Sequence, residues 1–525
     1  MSKKIKDEEG MIRLIPIRRK GIFRLVFSRL AIIIGLLALQ VGIIVMMYHR
    51  FEEILPYSKM IFGVFTIVML LWLCNTDMVY IAKFTWAIIF FLFPVPGALL
   101  FFLTMSDIGH RALAKRTFQL IGETRDKLPH DPGIMGEREL MISGMDDLCK
   151  YVNRTGCFPI FRAEELDYFP SGEAKFTAVL EELRKAEKFI FMEYFIIAEG
   201  YMWSEVLKIL RDKAAQGVEI RVMYDGMCEM STLTHDYPQR LEKLGIRCHA
   251  FSPITPFLST YYNYRDHRKI LVVDGKVAFN GGINFADEYI NRKERFGHWK
   301  DTAVMIRGSA VSSFTLMFLQ MWNISEKEPE WDRWLTTTPG TPGKGFVMPF
   351  ADSPLDDDKV GENVIMDILN RATTYVHIMT PYLILDGELE NALKFAAERG
   401  IDVKIILPGI PDKKTAYALA KTHYKSLLKA GVKIYEYTPG FVHGKVIVSD
   451  DKKAVVGSIN LDFRSLYHHF ECATYMYKTS CIGEIGADFH DTLKLCRQVT
   501  SETIKHERLY YKVVGRLMKF ISPLF

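Results

Sequence analysis

Hydrophobic positions follow two regimes along this chain. Between residues 30 and 105 they form long uncharged runs, whereas beyond residue 158 they come in short β-branched runs bounded by Gly, Asp and Asn. Residues 30–47 are eighteen in a row without charge. They predict a helix long enough for a hydrocarbon core of about 30 Å. No small-residue cleavage site follows, so the run does not read as a removable leader. Residues 60–74 are a second apolar run of fifteen, extended by Asn75 and Thr76, and predict a second crossing. A third run, 84–105, is interrupted by Phe-Pro-Val-Pro-Gly at 93–97. Basic residues flank the whole region: nine Lys/Arg against three acids in 1–29, and Arg111, Lys115, Arg116, Arg125 and Lys127 beyond it. Both flanks therefore belong on the cytoplasmic side, which requires an even number of crossings. We accordingly read 84–105 as a Pro-broken re-entrant segment; a full third span would put the rest of the chain outside. Arg24 and Arg29, interleaved with Ile22, Phe23, Leu25 and Val26, suit a segment lying on an anionic membrane surface.

The second regime repeats itself. Strand-like runs at 188–197, 218–224, 246–251, 270–274, 277–280 and 302–306, with helical patterns at 173–187, 204–216 and 238–244, form a first set. Runs at 374–379, 402–407, 432–437, 446–449, 454–456 and 473–477, with helices at 361–372, 387–399 and 416–430, form a second set in the same order. Words repeat too: Ala-Ala-Gln-Gly-Val-Glu-Ile (214–220) parallels Ala-Glu-Arg-Gly-Ile-Asp-Val (397–403). The fold class expected is α/β: two duplicated lobes, each a mixed sheet flanked by helices, preceded by a transmembrane region. The division is a basic cytoplasmic or interfacial segment (1–29), a membrane region (30–105), a connector (106–158), lobe one (159–335), lobe two (336–485) and an amphipathic helical tail (486–525). A Thr/Pro/Gly-rich linker at about 325–345 should be exposed. In the tail, Leu509, Val513, Leu517 and Phe520 recur at helical spacing beside Arg508, Lys512, Arg516 and Lys519. That pattern suits a membrane contact and packing on the lobes equally.

The repeat also carries chemistry. His267, Lys269, Asp274, Gly281 and Asn284 stand at the same offsets as His443, Lys445, Asp450, Gly457 and Asn460. His-x-Lys-x4-Asp should arise about 0.05 times by chance in such a chain, and here it occurs twice, each time with the downstream Gly-x-x-Asn. His and Lys at i and i+2 of a strand share a face. A neutral imidazole is a competent nucleophile, and a neighbouring Lys fixes a phosphate oxygen as a point charge. Asn from the next turn can donate to another oxygen. Asp274 and Asp450, five residues past each Lys, fall on the other face at the strand end, where tying down a turn fits better than reacting. Two half-sites facing each other would surround one phosphate, Lys269, Asn284, Lys445 and Asn460 binding it while one His attacks and the other protonates the leaving alcohol.

The doubled motif resembles the catalytic signature of the phospholipase D superfamily. Asn-Tyr-Arg-Asp-His-Arg-Lys (263–269), Gly-Gly-Ile-Asn-Phe-Ala-Asp-Glu-Tyr (281–289), Phe-Gly-His-Trp-Lys-Asp-Thr (296–302) and Gly-Ser-Ile-Asn-Leu-Asp-Phe-Arg-Ser (457–465) are similar to bacterial cardiolipin synthases. The resemblance counts His267, Lys269, Asp274, His443, Lys445 and Asp450 as the catalytic set, with His267 as nucleophile and His443 as acid and base. It also implies that Asp301 and Glu471 hold the second nitrogen of each imidazole. The implied reaction joins two phosphatidylglycerols into cardiolipin and glycerol through a phosphatidyl-histidine intermediate, in the cell membrane, with the lobes on the cytoplasmic side. Its partners would be those lipids and the membrane, not nucleic acid, and it would need no cofactor and no metal. Hydrolysis of a phosphodiester by the same residues, with water as acceptor, is the rival reading; a silent scaffold would predict at least one eroded motif, whereas both are complete. His423, His468 and His469 read as surface or loop histidines, the last two near enough to the second motif to touch a headgroup. Arg464 could bind a phosphate or close a loop. The net charge of +5 adds little. Eight cysteines without Cys-x-x-Cys spacing read as reduced thiols.

Overall fold

The computed structural model describes residues 11–15, 58–105 apart from 77 and 79, 108–253 apart from 130, and 263–521, with four single positions between 38 and 50. Apart from those single positions and residues 11–15, the predicted crossing at 30–47 and the basic segment at 1–29 lie outside the described residues.

Beyond residue 158 the alternating elements fold as two lobes. Lobe one is a seven-stranded mixed sheet in the order Leu166–Phe169, Ala303–Arg307, Val277–Gly281, Lys269–Val273, Phe189–Tyr194, Glu219–Asp225, Arg247–Phe251. Its central strands are buried on both faces because helices Gly172–Lys185 and Tyr201–Ala215 on one side and Val311–Trp322 on the other cover them, as unbroken apolar runs require. Lobe two repeats the order with Lys453–Gly457, Val446–Ser449, Tyr375–Met379, Asp402–Pro408 and Lys433–Tyr437, again antiparallel at the motif hairpin and parallel at the crossovers. Ser171 and Asp386 start the first long helix of lobe one and the second of lobe two by accepting from the N–H groups of Ala174 and Leu389.

Two exchanges lock the lobes together. The short strand Arg265–Asp266 leaves lobe one and runs parallel to the start of His469–Tyr477, with Arg265 opposite His469 and Asp266 opposite Phe470. Gly440–Val442 of lobe two runs parallel to His298–Lys300 of lobe one, ending with Val442 opposite Lys300. Phe346–Asp352 and Phe161–Arg162 extend the lobe-two sheet further. The connector packs on lobe one: Arg116 donates to the carbonyls of Asn323 and Glu326, and Gln320 to Thr124.

Two expectations need correction. The linker is exposed from Thr336 onward, but Trp331 and Trp334 are buried, Trp334 lying edge-on to Phe189 and Phe191 and under the Arg221 guanidinium. Large rings override the loop composition around them. His423 is no surface residue: it is buried, with Nδ1 2.7 Å from Glu390 in the neighbouring helix Gly387–Glu398. Among the described residues no helix is long and apolar enough to cross a membrane. Ser58–Cys74 has seventeen residues, and the chain breaks at Phe93 into Tyr80–Leu92 and Pro94–Met105, which fold back so that Trp86 meets Phe101 ring to ring at 4.9 Å. Pro94 and Pro96 sit where the break occurs. The tail helix Leu509–Ile521 packs on Lys414–Lys429 at Gly515, where a side chain would strike the Ala418 carbonyl, while Leu509, Val513 and Leu517 stay exposed.

Candidate active site

The motif hairpins bring their ends to one place. Asp274 and Asp450 sit in the hairpin turns at φ of 56° and 55°. The Asp274 carboxylate accepts from the backbone N–H groups of Glu187, Lys188 and Phe189 at 2.7–2.9 Å. Asp450 does the same for Thr373, Thr374 and Tyr375 at 2.8–3.0 Å. Counted with the catalytic set by motif, both are placed instead at the far end of the strand, tying the hairpin to the neighbouring strand. They position the reacting end without touching it.

At that end the exchanged strands determine the partners. Parallel pairing of 265 with 469 and 266 with 470 brings His267 opposite Glu471, one step on; pairing of 440–442 with 298–300 brings His443 opposite Asp301. His267 Nδ1 is 2.9 and 3.1 Å from the two Glu471 oxygens, and His443 Nδ1 is 2.7 Å from Asp301 Oδ2. Both predicted acids thus hold a motif histidine, but each holds that of the other lobe. A carboxylate on Nδ1 keeps the proton there and leaves the Nε2 lone pair free. Lys269 and Lys445 each donate to the carbonyl of the histidine two residues earlier, and all four side chains are buried.

The two halves differ by one methylene. Asp301 is short, and the chain comes close: a side chain on Gly282 would collide with Asp301 Oδ1, while Asp301 Oδ1 also accepts from the Thr302 N–H. Glu471 is longer and is held by two hydroxyls, Ser458 and Ser465, both donating to it. Ser458 occupies the place of Gly282. These serines were not anticipated, although they stand second and last in the 457–465 stretch.

The asparagines are unequal as well. Asn284 Oδ1 accepts from the Ile196 N–H at 3.0 Å and its Nδ2 donates to the Tyr289 hydroxyl at 2.8 Å, so one N–H remains for a substrate. Asn460 keeps its side-chain oxygen buried without a partner among the described residues, its backbone N–H donating to Ser465. His267, His469 and Glu471 offer ligand atoms within 4.8 Å of one another, as do Glu362, Asp386 and Glu388 elsewhere in lobe two. The Glu471 oxygens are already engaged by Ser458, Ser465 and His267.

Burial governs the electrostatics. It pushes His267 well below its usual range, with Lys269 and His469 adding to the effect, and His443 down to about 4, Lys445 adding and Asp301 opposing. Burial also lowers Lys445 to about 7 and Lys269 to about 8, against the pull of Asp301 and Glu471. For Asp301 burial opposes ionisation, yet the His443 charge and hydrogen bond and Lys445 hold it below the carboxylate range; burial pushes Glu471 up, against Lys269 and the donating hydroxyls of Ser458 and Ser465, which favour its ionised form. Both imidazoles are therefore neutral at pH 7, as a nucleophile must be, and an arriving phosphate anion would favour charging one of them.

The chain matches a family model described as "Cardiolipin synthase, PLD-like domain" over residues 179–322 and 365–493, the stretches that carry both histidines, both lysines and both acids. A cardiolipin synthase of Alkalihalophilus pseudofirmus is 32% identical over 84% of this chain and 88% of its own length. This chain belongs to the cardiolipin synthase family. A Streptococcus mutans member without an assigned function is 56% identical over 86% of this chain and 99% of its own. Among solved structures, phosphatidylserine synthase of Haemophilus influenzae has the same fold, with a TM-score of 0.56 at 14% identity over 73% of this chain and 98% of that one.

In this cardiolipin synthase family site the lysine charges depend on pH. A lysine whose pKa is lowered is cationic only below the lowered value, so anion attraction is full below about pH 7 and fades as pH rises through 7 and 8. A profile of kcat/KM against pH, which reports free-enzyme groups, should fall across that window. A flat profile up to pH 9.5 would contradict it.

Proposed function

We propose that this protein is a membrane-bound phosphatidyltransferase that converts two phosphatidylglycerols into cardiolipin and glycerol. The observation that carries the reading is the pair of histidines, each with its Nδ1 held by an acid and a buried lysine two residues on, in a family whose members include named cardiolipin synthases. In the proposed sequence the bound phosphate anion draws a proton onto His443 Nε2; His267 Nε2 then attacks phosphorus, the bond to the headgroup glycerol oxygen breaks, and that oxygen takes the proton from His443. The phosphatidyl group is then on His267. His443, now neutral, removes the proton from a hydroxyl of the second phosphatidylglycerol, whose oxygen attacks phosphorus as the P–N bond breaks. Lys269, Lys445 and the free N–H of Asn284 meet the charge on the phosphate oxygens. One phosphodiester replaces another, so the exchange is close to thermoneutral and needs no nucleotide.

The lobes are proposed to face the cytoplasm. Residues 11–15, which precede the apolar runs, lie against lobe one: Ile12 N–H donates to Ser204, Leu14 and Ile15 N–H to Glu199, and Arg240 to the Leu14 carbonyl. A segment held by the catalytic lobe is on the same side of the membrane as that lobe, which favours an even number of crossings. The exposed Leu509, Val513 and Leu517 of the tail helix, which also contacts Tyr80–Leu92, suit the same lipid surface.

Purified protein given phosphatidylglycerol alone should release cardiolipin and glycerol in equal amounts, and His267→Ala and His443→Ala should each lose at least about a thousandfold in rate. Phosphatidic acid as the main product would assign hydrolysis instead. For topology, single cysteines placed at Ser2 and Lys327 in a cysteine-free background should both be shielded from an impermeant maleimide in intact cells. Labelling of one and not the other would overturn the even count.

A further inference from the structure

Three ring nitrogens on two side chains beside the catalytic imidazoles have no partner among the described residues. His469 stands two residues before Glu471 and Trp299 two residues before Asp301, so the duplication puts them at equivalent places on the two exchanged strands. The His469 ring lies 5.1 Å from that of His267, and the Trp299 ring 5.2 Å from that of His443. Both side chains are almost fully buried, at 7% and 6% exposure. Neither nitrogen of His469 and not the indole nitrogen of Trp299 makes a hydrogen bond. Glu471 Oε1, 3.6 Å from His469 Nδ1, is too far for one. A buried N–H left this way carries the cost of its desolvation with no return, and a native chain retains few of them.

We propose that Trp299 and His469 contact the substrate, their ring N–H groups donating to oxygens of the reacting phosphodiester from opposite sides of the cleft. An indole N–H donates and never accepts, so its partner has to be an acceptor. The acceptors that the reaction brings between the two imidazoles are the phosphodiester oxygens. His469 lies in the field of Arg464, Lys269 and Lys413, so an anion is drawn to its side, while burial holds the ring neutral with one N–H to give. The two donors flank the reacting phosphorus as the two lysines do, and they add to the lysines the directional bonds that a point charge does not supply.

The proposal rests on the phosphodiester chemistry proposed above, but not on whether the second acceptor is a lipid or water. The test compares Trp299→Phe, His469→Phe and His469→Asn on phosphatidylglycerol vesicles, following total consumption and product composition separately. Trp299→Phe and His469→Phe should each lower kcat/KM about tenfold or more at unchanged product ratio, and His469→Asn, which restores a donor, should recover to within about threefold of the parent. Phosphatidic acid from the parent protein would overturn the transferase reading alone. Equal losses in His469→Phe and His469→Asn, or losses under threefold in both Phe variants, would overturn the donor role. A readout independent of variant folding is the indole resonance of Trp299 in ¹⁵N-tryptophan-labelled protein, assigned with Trp299→Phe. Inorganic phosphate should move it downfield, and a resonance unmoved by saturating phosphate would overturn the proposal.

Discussion

The carboxylate–imidazole pairs that cross between the lobes are the constraint on which this structure turns. His267 has its acid in lobe two and His443 has its acid in lobe one, so neither lobe contains a working histidine by itself. The pairing follows from strand register. A short parallel bridge ahead of each histidine, two residues before His267 and three before His443, runs beside the residues ahead of the opposite acid, and a slip of one residue would turn the acid to the other face. What looks in sequence like two copies of one motif is, in space, a single site whose halves are interleaved.

Much of the remaining architecture serves to hold that register. Asp274 and Asp450 tie each motif hairpin to the strand beside it through backbone amides, at the end remote from the chemistry. Gly281 and Gly457 let the neighbouring strand approach so closely that a side chain would strike Ala303 and Ala473. Arg268, next to the first histidine, reaches across to the Glu471 carbonyl, so the seam between lobes is bonded on both sides of His267. The site is buried in consequence. Burial keeps the histidines neutral and the lysines near the point of losing their charge, and the substrate anion supplies the missing balance.

Most of the lobes was legible in the residues because β-branched runs and helical periods are local signals, and duplication let each lobe check the other. The strand edges lay within a few residues, as for 446–449 against Val446–Ser449. The acids Asp301 and Glu471 were expected through the family resemblance. Their crossing was not, since long-range register leaves no trace in spacing. Ser458 and Ser465 escaped because a serine hydroxyl has no composition signal, and Asn284 looked free because Tyr289 and Ile196 meet it only in three dimensions. His469 read as a loop histidine for the same reason: its burial beside His267 depends on the exchanged strand. Trp331 and Trp334 show the converse, a linker composition overruled by two rings that find a core.

The crossing is tested most directly by a double-mutant cycle on kcat/KM for phosphatidylglycerol. In a His443→Ala background, Asp301→Asn should cost less than about threefold further, because the group it orients is gone, whereas Glu471→Gln should still cost about tenfold or more of the residual rate through His267. The reverse pattern, with Glu471→Gln silent and Asp301→Asn costly, would mean that each acid serves the histidine of its own lobe and would contradict the interleaved site.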